Sequence, residues 1–169
     1  NADYTVYELH VQDMTMSDTW TGTEEYRGTF KGMIEKGTTY TKDNVTVTTG
    51  FDHIDELGVN AVQILPFYDH DNDETDIVAN YNWGYNPVSY MTPSGWFSSD
   101  ANSPVARINE LKEFIDNAHK LGLGVNMDVV FNELWNKLTD ADKAQMYDLF
   151  GEVDDNQPIE NLETFQKFR

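Results

Sequence analysis

The sequence predicts an α/β fold built on a parallel sheet, and two pairs of segments carry this prediction. Val59–Pro66 and Gly124–Phe131 are apolar on both faces, as strands buried in a parallel sheet are. A segment with helical periodicity precedes each of them. Strand, helix and strand in this order indicate βαβ units.

An earlier strand is predicted from the β-branched and aromatic residues of Tyr4–Val11. It carries Glu8 and His10 on one face. These two side chains could form a site pair, but groups at a strand end are more often held in structural hydrogen bonds. Both interpretations stay open from the sequence alone.

The connection to the next strand is predicted to be mostly loop over Gln12–Gly50, with a short helical turn within Tyr26–Ile34. A two-turn helix follows, because apolar residues recur at helical spacing before Gly58, which is predicted to end it. These apolar residues are Phe51, Ile54 and Leu57.

Phe67–Pro104 is a long aromatic excursion without regular periodicity, and excursions of this length are usually functional or disordered. Its aromatic content argues against disorder. Acidic residues alternate within it as in a calcium loop, at Asp69, Asp71 and Asp73. The match fails, since Glu74 replaces the required glycine and Asn80 replaces the bidentate glutamate, so we interpret the run as a solvated acidic loop.

The clearest helix precedes the last strand and ends at Gly122. Its apolar stripe consists of Ile108, Leu111, Ile115 and Ala118. Within the strand that follows, Asp128 is the exception to an apolar pattern. A lone aspartate there is costly unless it is paired or lies at the mouth of the sheet, where ligands bind, and we favour the second interpretation.

The predicted secondary structure changes after Asn132, from alternating strands and helices to helices alone. Thr139 is a plausible N-cap for a helix through Phe150, and Pro158 fits the first position of another. We therefore predict two parts: residues 1–132, which contain the α/β elements, and a helical tail over residues 133–169.

Composition narrows the class of partner. The chain has 30 acidic and 11 basic residues, for a formal net charge of −19. Nucleic acid and anionic membrane surfaces are therefore disfavoured as partners. No Lys or Arg occurs from Asp43 to Ala106, where acidic and aromatic residues are frequent, and such a surface suits a neutral polar ligand, above all a sugar. The alternative is that the charge serves solubility alone.

Cysteine is absent, which excludes disulfides and thiolate chemistry. No apolar run reaches membrane-spanning length, and no signal peptide is visible. These features fit both the cytoplasm and many extracellular bacterial enzymes. The chain starts at Asn1 rather than Met, which we interpret as a processed or partial chain.

The most informative stretch is the sequence Asn-Tyr-Asn-Trp-Gly-Tyr-Asn-Pro at Asn80–Pro87. Its aromatic residues offer flat apolar faces with a polar group, and Gly84 permits a tight backbone path. Local pattern favours equally a loop that presents these rings to a ligand and a loop that folds them onto the core.

Tyr81–Pro87 closely resembles the YNWGYDP signature of type I pullulanases, starch-debranching members of the α-amylase superfamily. Neighbouring segments resemble the same family in the same order: Tyr7–Val11 its first barrel strand, Val62–Pro66 its second, and Met127–Asn132 its first conserved region, DVVYNH. The resemblance implies a partial (β/α)₈ barrel of about the first three βα units, with a long aromatic loop after the second strand and a helical C-terminal tail.

The resemblance also implies a function, hydrolysis of α-1,6-glucosidic bonds with retention in pullulan, starch or glycogen. It places Tyr85 against the sugar next to the scissile bond and Asp128 in contact with the same sugar. Tyr81 and Trp83 are expected to line the glucan subsites. Asn132 is expected to support the site. No cofactor is expected, although an asparagine at this place binds calcium in many amylases.

Three departures from the family accompany this resemblance. The nucleophile, the acid/base and the third carboxylate lie on the fourth, fifth and seventh strands of the family, and no segment after Asn132 resembles those regions. The signature aspartate is Asn86, and the histidine of the first region is Glu133. The sequence therefore leaves three alternatives. The chain is part of a hydrolase whose partner is the rest of its barrel, or it is a non-catalytic module that binds glucan through Tyr81, Trp83, Tyr85 and Trp96. The third alternative is an inactive truncated module.

Overall fold

The computed structural model describes residues 3–76, 80–130 and 139–141. The chain divides into two compact units, Asn1–Val130 and Phe131–Arg169. Almost all of the second unit lies outside the described residues, as does Asn132. The predicted helical tail and the boundary before it therefore stay predictions.

The first unit contains seven short strands and three α-helices within the described residues. In chain order they are β1 (Val6–Leu9), α1 (Phe30–Met33), β2 (Thr39–Lys42), β3 (Val45–Thr48), α2 (Gly50–Leu57), β4 (Ala61–Ile64), β5 (Tyr68–His70), β6 (Pro87–Pro93), α3 (Pro104–Lys120) and β7 (Gly124–Met127). None of these helices is long and apolar enough to cross a membrane.

Three of the strands form a parallel sheet in the order β1-β4-β7, with α2 and α3 in the connections between them. The register is even, because Leu9 pairs with Ile64 and Ile64 pairs with Met127. The three strands consequently end at one level, and the segments that follow them meet at one edge. The α/β prediction with a parallel sheet is confirmed.

The two predicted helices of the crossovers are present, and their ends have a local cause. Gly58 caps α2 with a φ of 66°, a left-handed conformation that glycine adopts without strain. At the start of α3, the Ser103 hydroxyl accepts a hydrogen bond from the Ala106 N–H at 3.2 Å, and Pro104 occupies the first turn.

The prediction of loop over Gln12–Gly50 is wrong for its second half. Strands β2 and β3 form an antiparallel hairpin there. Its turn residues Asp43 and Asn44 have φ values of 50° and 63°, as a tight hairpin turn requires. The excursion from Phe67 also contains regular structure, since β5 and β6 pair antiparallel.

The buried face of α3 also differs from the predicted stripe. Phe114 and Ala118 are fully buried, whereas Ile108 is 43% exposed. Glu110, an acidic residue outside the predicted apolar stripe, is buried. Its carboxylate accepts from the Ser99 N–H at 2.8 Å and lies 3.4 Å from the Lys31 ammonium, so the buried charge is compensated.

Phe114 connects the helices within the core. Its ring lies 5.7 Å from that of Phe30 on α1 and 5.2 Å from that of Phe51 on α2. We expect Phe114→Ala to lower the free energy of unfolding by about 3–5 kcal/mol, because the cavity between three helices cannot close easily. Urea denaturation followed by fluorescence measures this.

The matched control for that substitution is Val105→Ala on the same helix, where the side chain is 66% exposed. It should change the free energy of unfolding by less than about 0.5 kcal/mol. Equal effects of the two substitutions would contradict the assignment of Phe114 to the centre of the core.

Candidate functional site

The candidate site lies at the carboxyl edge of the parallel sheet. Asp128 follows β7 directly, and its N–H donates to the Ile64 carbonyl at 2.9 Å. His10 follows β1 in the same way, beside Leu65, whose N–H donates to the Leu9 carbonyl at 2.9 Å. The even register thus brings polar side chains from two strand ends to one edge.

The long aromatic segment Phe67–Pro104 contacts this edge of the sheet through Tyr85. The Tyr85 hydroxyl donates to Asp128 Oδ2 at 2.7 Å, across 43 residues of sequence. Burial raises the pKa of Tyr85, and its hydrogen bond to the Asp128 carboxylate raises it further. Tyr85 therefore stays protonated and keeps its donor role, which holds its ring in place.

The turn before Tyr85 requires glycine. Gly84 has a φ of 87°, and a Cβ there would lie 2.6 Å from the Pro66 carbonyl oxygen. The Asn82 side chain accepts from the Gly84 N–H at 2.9 Å, which closes the turn. The end of β4 and the aromatic loop are therefore packed backbone to backbone.

Asn86, the departure from the family signature, is an integral part of the loop. Its Nδ2 donates to the Asp71 carbonyl at 2.9 Å, while its Oδ1 accepts from Asn82 Nδ2 at 3.1 Å. The Asp71 N–H donates to the Asn86 carbonyl at 3.1 Å. An ionised carboxylate could accept but not donate, so the amide uses both of its functions here.

Tyr81 and Trp83 present their rings outwards, with 49% and 60% of their surfaces exposed. Their polar ends form a chain of hydrogen bonds. Trp83 Nε1 donates to the Tyr81 hydroxyl at 3.0 Å, and that hydroxyl donates to Asp13 Oδ2 at 2.9 Å. Burial raises the pKa of Tyr81, and its bond to Asp13 acts in the same direction.

An open cleft of about 470 Å³ lies along this loop, lined by Tyr81, Asn82, Trp83, Tyr85 and Asn86. Aromatic faces with a few fixed polar groups form the surface on which a flat, hydroxyl-rich ligand can stack and be oriented. None of the described residues that line the cleft is basic, which favours a neutral ligand over an anion.

The His10 side chain packs against the aromatic loop Asn80–Pro87. It is 4% exposed, and its ring lies 5.4 Å from that of Tyr81 and 5.5 Å from that of Phe97. Its Nε2 donates to the Asn82 carbonyl at 3.1 Å in the tautomer that this contact requires. Glu8 is engaged separately with Gln63 at 3.4 Å, so the structure supports the hydrogen-bonded interpretation of His10.

Trp96 does not have the role that the sequence suggested. Its side chain is fully buried and packs edge-on against the rings of His10 and His70. It therefore cannot stack on a ligand in the cleft, and its inclusion among the glucan-binding residues is wrong. The high aromatic content of the excursion serves the core as well as the cleft.

The acidic run also has structural partners that local pattern did not reveal. The Asp73 carboxylate accepts from the Thr75 N–H at 3.0 Å, and Glu74 forms an ion pair with Arg107, 3.0 Å from Nη1. Glu74 also accepts from the Gly95 N–H at 2.7 Å. Among the residues that the structure describes, no group of three or more His, Asp or Glu side chains could hold a metal ion.

Fold and site together define a class: a β/α protein whose aromatic cleft lies at the carboxyl ends of parallel strands, where barrel enzymes bind their ligands. No protein-family model matches the chain. Individual relatives and solved structures do match it.

Pullulanase A of Streptococcus pneumoniae is 35% identical over 143 residues, which cover 77% of this chain and 10% of that protein. Chloroplastic isoamylase 3 of Oryza sativa is 31% identical over 153 residues, or 86% of this chain and 17% of the relative. The pullulanase of Paenibacillus barengoltzii, solved with maltohexaose and α-cyclodextrin, matches with a TM-score of 0.68 and 43% identity, over 76% of this chain and 20% of that chain.

Over about three quarters of its length the chain is therefore a homologue of the pullulanases and isoamylases, glycoside hydrolases of starch debranching. The resemblance indicated by the Tyr81–Pro87 motif is confirmed. The chain spans between 10% and 18% of the length of relatives such as the pneumococcal and Bacillus subtilis pullulanases.

His10 predicts a pH dependence of stability. Burial lowers its pKa below the ordinary value of 6.5, His70 acts in the same direction, and the Asp13 carboxylate and the Asn82 carbonyl oppose it. The unfolded chain then binds more protons, so stability is full above about pH 6.5 and falls below it, by at most about 1.4 kcal/mol per pH unit. Urea unfolding at pH 7.5 and 5.5 should show this loss.

A His10→Gln variant should show a smaller loss between the two pH values, because the amide can still donate to Asn82 but does not titrate. His53→Gln, a change on α2, is the matched control and should behave as the unaltered chain. An equal pH response in the His10→Gln variant would contradict the role of His10.

Proposed function

We propose that this chain forms the first three strands of the barrel of a starch-debranching glycoside hydrolase, and that its cleft binds α-glucan beside an α-1,6 bond. The hydrogen bond between Tyr85 and Asp128 carries the proposal. It joins the aromatic loop to the strand end in the two segments that resemble the family motifs. The relative solved with maltohexaose and α-cyclodextrin supports the choice of ligand.

Each predicted residue has a role in this proposal. The Tyr85 ring stacks on the sugar next to the scissile bond, and Asp128 binds the hydroxyls of that sugar through the oxygen that Tyr85 does not use. The exposed rings of Tyr81 and Trp83 supply the adjoining stacking surface. Asn132, outside the described residues, keeps its proposed role as a residue that supports the site.

Hydrolysis with retention requires a nucleophilic carboxylate and a carboxylic acid on either side of the bond. We assign these groups to later strands of the barrel, which would continue the sheet from its open edges. Within the described part of the chain, β1 and β7 each pair with one neighbour. The rest of the barrel is therefore the proposed partner, and this chain supplies binding rather than catalysis. A non-catalytic glucan-binding module would use the same cleft and is the alternative.

Affinity electrophoresis in a gel containing pullulan tests the cleft. The unaltered chain should be retarded, and Tyr85→Ala should weaken binding about 5- to 10-fold, the effect expected for one aromatic contact of ~1–1.5 kcal/mol. Tyr85→Phe should lie between the two, because it keeps the ring and loses the bond to Asp128. Tyr40→Ala, at an exposed tyrosine on β2, is the matched control and should migrate as the unaltered chain.

Unretarded migration of the unaltered chain would contradict glucan binding at this cleft. A reducing-sugar assay with pullulan addresses catalysis separately. The isolated chain is expected not to release reducing sugar. If it does, and if substitution of a carboxylate within the chain abolishes that release, the assignment of the catalytic carboxylates to other strands is contradicted.

A further inference from the structure

We propose that Asp13 is a positioning residue of the cleft, which holds Tyr81, and through it Trp83, in the orientation that a ligand meets. The inference rests on the proposed function, because it concerns the same cleft. Asp13 does not line the cleft and belongs to none of the motifs that indicate the family. It lies in the turn after β1.

The first step is the contact that reaches across the chain. Asp13 Oδ2 accepts from the Tyr81 hydroxyl at 2.9 Å, although the two residues are 68 positions apart in sequence. The same hydroxyl accepts from Trp83 Nε1 at 3.0 Å. The polar ends of both exposed rings are thus connected to a single carboxylate. A hydrogen bond to an ionised acceptor is stronger than one between neutral groups.

The second step is the anchoring of Asp13 itself. Its turn is closed by the Met14 N–H, which donates to the His10 carbonyl at 3.3 Å. Asp13 Oδ1 lies 3.7 Å from Nδ1 of the buried His10 ring, beyond hydrogen-bonding distance, so the turn rather than the ring places the carboxylate. That ring in turn holds the Asn82 carbonyl, between Tyr81 and Trp83. Strand β1 therefore fixes the loop at its backbone through His10 and at its ring ends through Asp13.

The third step is the consequence for binding. Exposed tyrosine and tryptophan side chains that lack a partner sample several rotamers, and ordering them on binding weakens affinity. A carboxylate that orders them beforehand removes part of that cost. Asp13 then acts on affinity without touching the ligand, which separates it from Tyr85 and Asp128.

A double-mutant cycle distinguishes this role from direct contact with the sugar. Pullulan affinity is measured for the unaltered chain, Asp13→Ala, Tyr81→Phe and the double variant. Each single change should weaken binding about 3- to 5-fold, and the double variant should bind no more weakly than Tyr81→Phe, because Tyr81→Phe already removes the hydrogen bond to Asp13. Asp13→Asn, which keeps an acceptor oxygen, should bind within about 2-fold of the unaltered chain.

Asp55→Ala, at an exposed position on α2, is the matched control for loss of one carboxylate and should leave affinity unchanged. A ligand-free readout accompanies the cycle: the near-ultraviolet circular dichroism of Trp83, obtained by subtracting the spectrum of Trp83→Phe. Asp13→Ala should reduce this Trp83 signal by about half, and Asp13→Asn should retain it. Far-ultraviolet spectra verify that each variant is folded.

Additive losses in the cycle would overturn the proposal in favour of direct sugar contact by Asp13. An unchanged Trp83 signal in Asp13→Ala would overturn it whatever the affinities. If the unaltered chain does not bind pullulan, the proposed function fails, and the Trp83 signal still decides whether Asp13 orders the rings.

Discussion

The even register of the parallel sheet is the constraint on which the site depends. Because β1, β4 and β7 end at one level, His10 and Asp128 lie at a common edge although they are far apart in sequence. The aromatic loop is then placed by contacts at all three strand ends: Tyr85 with Asp128, Asn82 with His10 and Gly84 with Pro66. A shift of one residue in the pairing of any strand would turn its side chains to the other face and separate these groups.

The large negative charge is accommodated by hydrogen bonds as much as by cations. Described carboxylates repeatedly accept from backbone N–H groups or hydroxyls: Glu35 from Thr23, Asp52 from Gly37, Glu74 from Gly95 and Glu110 from Ser99. Hydrogen bonds to a charged acceptor are stronger than those between neutral groups. The excursion Phe67–Pro104 lacks Lys and Arg throughout, and Arg107, just after it, forms an ion pair with Glu74 of its acidic run.

Local patterns predicted those elements whose cause is local. Helix α2 followed from apolar spacing and a glycine stop, and β4 from a run that is apolar on both faces. The sequence analysis did not predict the hairpin β2–β3, although its turn residues are adjacent. Its alternating threonine and valine residues were interpreted as part of a loop. Trp96 was misplaced and Asp13 was missed for a different reason: what their side chains touch is set by residues far along the chain, which no window of sequence contains.

Asn86 illustrates how such distant contacts change the meaning of a sequence difference. As a departure from a signature, it suggested a subsite with an altered charge. In the structure its amide donates to Asp71 and accepts from Asn82, which makes it part of the loop's framework. Asp13 and Asp128, the carboxylates that hold two of the cleft tyrosines, are each bound by a tyrosine hydroxyl. A surface whose carboxylates are satisfied by phenols rather than by cations keeps its rings fixed and its polar groups available to a neutral, hydroxyl-rich ligand.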